Sequence, residues 1–319
     1  MTNKEIYLSF SDKHCNLPLF LQPWWLDAVT RPDNKQWDVL LACGKSGEVE
    51  AVMPFLYGQK YSLRYILNPQ LTQYTGVWIT NVEGENIKDR LSREKTLQTE
   101  IIRQLQEKNP NFVELSFSPR YTYWLPFYWA GYSCEPHYTY RIESLSDTAS
   151  VFDNFDYSKQ KQIRKAESAG IVVDTTMTAE EFYALQCLQW ETVGQRDILS
   201  KELVMSVIST AISRNQGMLF SAKDVLGTTH AALFVIWDAQ SAYSLMSAIH
   251  PQYRSSGAST LMVWEAMKRL STVTRSWDFE GSMSESVENS FRLFGAVPAT
   301  YFKISKYSKM ASLVRQWKR

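Results

Sequence analysis

The order hairpin, strand, helix, strand, glycine turn, strand runs through this chain twice, and that repeat limits the folds open to it. In the first half, apolar residues 37–43 and 49–57 flank a turn at 44–47. In the second half, 218–222 and 229–237 flank a turn at 223–227. Short apolar runs bounded by turn formers read as paired strands. Helix spacing follows in each half. Ile87, Leu91, Leu97, Ile101 and Leu105 make a stripe through 86–108, and Leu261, Met262, Trp264, Ala266 and Met267 do so through 259–270. Each helix leads to a strand, 112–117 or 276–280. Each half then closes alike: Phe127-Tyr-Trp-Ala-Gly131 runs to Thr139-Tyr140, and Phe291-Arg-Leu-Phe-Gly295 runs to Thr300-Tyr301. Strands and helices mixed in this order predict an α/β (α+β) chain with a mixed sheet flanked by helices in each half.

The 319 residues exceed what one core usually serves, so two domains are expected, 1–145 and 146–319. The boundary falls at the polar stretch 144–149, and the last segment, 308–319, is expected to pack back on the first half. A cleft between the halves is the expected binding site. The net charge of +1 argues against bulk attraction to polyanions, and no DNA partner is expected. Residues 1–11 lack the basic and apolar regions of a signal peptide, and no window approaches the ~20 apolar residues of a membrane span. A cytoplasmic protein is expected. The four cysteines are scattered without a C-x-x-C pair, so neither a metal nor a disulfide is expected, and each reads as a small buried hydrophobe.

Five segments in order carry a family resemblance. They are Leu19-Phe-Leu-Gln-Pro-Trp-Trp-Leu-Asp27, Asn68-Pro-Gln-Leu-Thr-Gln-Tyr-Thr-Gly76, Leu115-Ser-Phe-Ser-Pro119, the run from Tyr157 to Gly170, and Trp277-Asp-Phe-Glu-Gly-Ser282 with Ser286 to Gly295. Together they resemble the FemAB-like branch of the GNAT superfamily over nearly the whole chain. The resemblance implies two tandem GNAT-like domains and transfer of an acyl or aminoacyl group to an amine. Acyl-CoA or aminoacyl-tRNA would be the donor, and the acceptor a small amine such as a cell-wall precursor. Acyl-CoA would act as a co-substrate, with no tightly bound cofactor. The alternative is a GNAT-like module that binds or assembles without catalysis.

Direct attack of an amine on an acyl carbonyl needs a group to take a proton and donors to hold the oxyanion. Glu280, at the end of the strand 276–280, is the first candidate for the proton; it also reads as a cap for the helix at 285–294. Asp278 lies two residues earlier, on the same strand face, and would raise the Glu280 pKa. Ser282 reads as a hydroxyl donor or a helix cap. The run Arg254-Ser255-Ser256-Gly257-Ala258-Ser259 is similar to the GNAT pyrophosphate loop, with Ser259 departing from its final Gly or Ala. Without a ligand it reads as an ordinary loop. Lys161, Arg164 and Lys165, with Lys159 beside them, form a basic helix face, for phosphate or simply for water. The resemblance places Trp190, Arg196 and Asp197 by the substrate; Arg196 would hold a carboxylate or pair internally. Gln73 and Tyr74 are polar residues in an apolar stretch, reaching a cleft or buried and satisfied. His230 reads as a satisfied core residue. The second half is the expected seat of the site.

Overall fold

The computed structural model describes residues 1–316 apart from Asp197 and Ser282, with side chains as far as Ser312. The chain divides into two units. One comprises Met1–His137 and the segment from Thr300 on; the other is Tyr138–Ala299. The division is therefore not a single cut near residue 145. The chain leaves the first unit seven residues before Leu145, at Tyr138, and returns to it at Thr300.

The first unit begins with α1 (Asn3–Lys13), closed at its start by a reciprocal Thr2–Glu5 capping box, and α2 (Pro23–Thr30), with Pro23 at its first position. The expected hairpin follows as β1 (Gln36–Cys43) and β2 (Val49–Lys60), antiparallel with a bulge at Ala42/Cys43. Then come β3 (Leu63–Leu67), the short β4 (Trp78–Ile79), α3 (Ile87–Glu107) and β5 (Phe112–Phe117). The α3 stripe buries Leu97, Ile101, Ile102 and Leu105 against β1 and β2. After α4 (Leu125–Trp129) the chain turns at Gly131, with φ of +81°, into β6 (Ser133–Ile142).

The second unit takes the end of β6 and continues with α5 (Thr148–Asp153), α6 (Tyr157–Ser168), β7 (Val172–Asp174), α7 (Ala179–Thr192) and α8 (Lys201–Ser213). The second hairpin is β8 (Gly217–Lys223) and β9 (Thr229–Trp237), followed by β10 (Ser241–Ile249), α9 (Ala258–Leu270), β11 (Ser276–Asp278) and α10 (Glu285–Arg292). Its strands lie in the order β6, β11, β10, β9, β8, β7, with only β10 and β11 parallel. Trp277 is fully buried among α9 and its neighbours. A side chain of that size contributes about 1.5–3 kcal/mol or more by leaving water.

The chain closes with β12 (Val297–Tyr307) and α11 (Lys309–Gln316). Residues 302–307 of β12 pair antiparallel with β5, and the Ser308 N–H donates to the Asn111 carbonyl. The last segment thus belongs to the first unit.

Two expectations need correction. No cysteine is fully buried: Cys15 and Cys43 are exposed, and Cys134 and Cys187 are half-buried. Cys15 and Cys43 lie beyond or at the end of their elements, Cys134 packs only partly against the core of the first unit, and Cys187 lies on a partly exposed side of α7. His230 is buried and stacked on Tyr253 at 3.9 Å, and its Nε2 lies 3.3 Å from Asp224, yet its Nδ1 is buried without a hydrogen bond. It is satisfied on one nitrogen only.

Candidate functional site

The middle strands of the second unit carry different chemistry on their two faces. Trp277, Phe279, Ala242 and Ile142 point into the core with α9. The opposite face holds Thr139 and Arg141 of β6, Ser276 and Asp278 of β11, and Ser241 and Tyr243 of β10. Register sets this row: Ser276 is opposite Ser241, and Asp278 is opposite both Tyr243 and Arg141. Hydrogen bonds knit it together. Ser276 Oγ donates to the Gln240 carbonyl at 2.8 Å, an Arg141 guanidinium nitrogen donates to Ser276 Oγ at 2.9 Å, and Thr139 Oγ1 donates to Asp278 Oδ1 at 2.5 Å.

Glu280 stands where this row ends. The strand expected to reach it stops at Asp278. Asp278 Oδ1 accepts the Glu280 N–H at 2.8 Å, and Glu280 adopts the left-handed region with φ of +56°. That conformation is unfavourable for a branched-free acid such as Glu and ends the strand. Its side chain is half-buried, and Oε1 is buried without a hydrogen-bond partner. Burial, aided by the neighbouring Asp278 carboxyl, holds the Glu280 carboxyl well above the usual carboxylate range. Glu280 does not cap the next helix; Ser284 occupies that position of α10. Asp278 is fully buried, and its carboxylate is taken up by its neighbours. Ser282 lies outside the described residues, as does Asp197. Gly281 is required by space: a Cβ there would sit 2.3 Å from the Thr139 Cα and from the Tyr138 carbonyl oxygen.

Beside this strand end the sheet opens. β11 pairs with β10 only over Ser241–Tyr243, while β10 runs on to Ile249. The β9–β10 register shifts between Tyr243 and Met246, a bulge that re-aims the β10 backbone. Ser244, at that bulge, has a buried hydroxyl without a partner. Beyond Tyr243, β11 supplies no ladder partner to β10. Backbone N–H groups on such an edge suit a developing oxyanion.

The basic loop follows β10. Arg254 is exposed and donates to Thr192 Oγ1 at 3.0 Å. The Ser255 carbonyl accepts from Lys165 Nζ at 2.7 Å, and Ser256 Oγ accepts the Ala258 N–H at 3.2 Å. Gly257 has φ of +84° and opens α9 without a side-chain cap or an acidic residue in the first turn. A Cβ on it would lie 2.3 Å from the Gln162 carbonyl of α6. Ala258 is buried and Ser259 half-buried in the first turn of α9. Of the basic helix face, Lys165 therefore reaches the loop. Lys161 and Arg164 are exposed, with Arg164 donating to Gln160 on its own helix. An uncapped helix N-terminus beside a lysine fits a phosphate group.

The remaining candidates lie elsewhere. Trp190 is half-buried near the end of α7, edge-on to Tyr183, and Arg196 is exposed beyond it. Gln73 and Tyr74 belong to the first unit, where Tyr74 is buried with its ring against Phe20 and Tyr301. Among the described residues, no group of three or more His, Cys, Asp or Glu side chains is arranged to hold a metal. No described helix is long and apolar enough to cross a membrane.

Two participants were not singled out by sequence. Thr139 had appeared only as part of a closing strand; its role depends on a partner 139 positions away. Lys159 had been grouped with the basic face, but it is buried, donating to Ser290 Oγ of α10 at 3.1 Å with the Phe294 ring 4.2 Å away. Burial lowers its pKa to about 8.

Known proteins share this fold. Residues 154–277 fit the family model described as an acetyltransferase (GNAT) domain, a span that takes in the β10 bulge, the basic loop and α9. Among solved structures, FemX is 12% identical with a TM-score of 0.68, covering 95% of this chain and 96% of that one. A tandem GNAT protein from the clavulanic acid biosynthesis pathway is 13% identical with a TM-score of 0.55, covering 95% and 94%. L-PGS from Bacillus licheniformis is 10% identical with a TM-score of 0.53, covering 89% and 87%. No curated protein matches the sequence significantly. Residues 154–277 thus match a GNAT domain, and the chain as a whole shares the fold of FemX and of the tandem GNAT protein.

Proposed function

We propose that this chain is an N-acyltransferase or aminoacyltransferase in which Glu280 takes the proton of an amine acceptor. The observation that carries this reading is the buried Oε1 of Glu280, without a partner, at the end of β11 where β10 and β11 part. Burial raises the pKa of this carboxyl, which makes its carboxylate a stronger base than an exposed glutamate. The amine nitrogen attacks the acyl carbonyl carbon and its proton passes to Glu280. The carbonyl oxygen becomes an oxyanion, and backbone N–H groups on the free edge of β10 suit it. The carbonyl re-forms as the bond to the donor breaks, and the leaving thiolate or ribose oxygen takes up the proton that Glu280 had accepted, directly or through water. No covalent enzyme intermediate is needed.

The loop from Arg254 to Ser259, with Lys165, would hold the donor's phosphates, whether on acyl-CoA or aminoacyl-tRNA. The cell-wall precursor remains the acceptor class that the FemAB-like fold favours. The test is turnover of acyl-CoA and aminoacyl-tRNA donors against a panel of primary amines, for the native protein and Glu280→Gln. The variant should lose about 10²–10⁴-fold in kcat, the usual contribution of a positioned base. In the native protein kcat/KM should rise with pH through a value above the ordinary glutamate range, because the base must first lose its proton. Turnover of Glu280→Gln equal to the native protein's would sink the assignment.

A further inference from the structure

We propose that Asp278 and Thr139 are positioning residues that hold Glu280 in place, and that Asp278 is not itself the proton acceptor. The proposal rests on the reading of Glu280 as the base. Three observations carry it. Asp278 is fully buried and its Oδ1 is already engaged by two donors, the Thr139 hydroxyl at 2.5 Å and the Glu280 N–H at 2.8 Å. An oxygen so occupied has little capacity left for a substrate proton. Next, the backbone at Glu280 is left-handed, φ +56°, a conformation that persists only where its surroundings enforce it. The bond from Asp278 supplies one restraint. The third observation supplies the other: at Gly281 the chain comes so close to Thr139 that a Cβ would lie 2.3 Å from the Thr139 Cα. Thr139 thus acts twice, its hydroxyl fixing the Asp278 carboxylate and its backbone bounding the turn.

The arrangement has an order. Thr139 orients Asp278, Asp278 fixes the Glu280 backbone, and the Glu280 carboxyl keeps one buried oxygen outside this chain of bonds. The charge that acts on it is the Asp278 carboxyl two residues earlier, which itself lies opposite Arg141 of β6 and Tyr243 of β10. Asp278 is the acidic group nearest in the chain, and a carboxylate there disfavours ionisation of Glu280.

Asparagine keeps the accepting oxygen of Asp278 and removes the charge, so Asp278→Asn separates positioning from proton transfer. Two measurements are made. The carboxyl titration of Glu280 is followed by ¹³C NMR in the free protein, its signal identified by its loss in Glu280→Gln. Turnover is measured with the substrate pair found above. Positioning predicts that Asp278→Asn shifts the Glu280 titration to lower pH and keeps kcat within about tenfold of the native value, while Asp278→Ala loses about 100-fold or more. Thr139→Val should lower kcat more than KM rises, and Thr139→Ser should restore it. If Asp278→Asn is as inactive as Glu280→Gln, Asp278 is the base and the proposal fails. An unmoved Glu280 titration in Asp278→Asn also overturns it. Full activity in Glu280→Gln removes the underlying base reading, an outcome distinct from either because the titration is read without substrate.

Discussion

The two units build the same sequence of elements to different ends. In the first, β5 ends on Phe117, whose ring packs edge-on against Tyr121 at 4.7 Å and Phe127 at 5.1 Å. In the second, β11 ends on Asp278 and turns at Glu280. The helices before these strands differ as well. The N-terminus of α3 is closed by Asn86, which accepts the Asp89 N–H at 3.0 Å, and Glu85 beside it pairs with Arg93 at 2.8 Å. Acidic groups already occupy the positive end of that helix dipole, so a phosphate has no place there. The start of α9 has Gly257, no side-chain cap and no acid in its first turn. Both units bury side-chain atoms without a hydrogen bond, Gln98 Nε2 in the first and Ser244 Oγ and Glu280 Oε1 in the second, but those of the second flank the place where β10 and β11 part. Uncompensated groups cost stability and persist where function uses them. The chemistry proposed above would draw on the groups of the second unit.

That contrast can be broken by substitution. The largest effect is expected at Lys159, whose buried amine costs the second unit stability. Its folded pKa of about 8 lies below the ordinary lysine value of 10.5, so the unfolded chain binds more protons between these values and stability rises with pH across that window. Below about 8 the full cost, about 3 kcal/mol, is present. Urea unfolding at a series of pH values should show this rise in the native protein and its absence in Lys159→Met. Next comes Gly257→Ala, where left-handed backbone costs about 1–2 kcal/mol and the new Cβ meets the Gln162 carbonyl. CoA affinity, followed by calorimetry, should fall about tenfold or more. The smallest effect is at Asn86→Ala, a lost cap worth about 1 kcal/mol in thermal unfolding. CoA affinity should not change there. A loss of CoA binding in Asn86→Ala, or its retention in Gly257→Ala, would reverse the assignment of roles to the two helix N-termini.

The elements were legible because local spacing decides them. The α3 and α9 stripes, both hairpins and both glycine turns sit within a few residues of where periodicity puts them. Glu280 and Asp278 could be picked out because charged residues at the end of an apolar strand conflict with its burial. The conformation of Glu280 could not, since it depends on a side-chain bond from Asp278 and on the nearness of Thr139, which no local rule encodes. Lys159 fell in a run of cations whose neighbours Lys161, Arg164 and Lys165 are exposed. Its position on the helix turns it toward Ser290 and Phe294 instead. Tyr74 was ambiguous because a tyrosine suits both a cleft and a core, and only its contacts with Phe20 and Tyr301 decide how it is buried.

The return of the chain at Thr300 has a consequence during synthesis. A ribosome releases β3 and β5 early, and they can pair as soon as both have emerged. The other edge of β5 has to wait, because residues 302–307, which close it, follow the whole of the second unit. The entire second unit is translated in the interval. An unpaired strand edge invites pairing with other chains, so the nascent first unit is open to aggregation while the second is completed. A nascent chain stalled before Thr300 carries that open edge, and so does any product cut short there. Removing residues 300–319 would therefore damage the first unit, although the second lies between them and the rest of it.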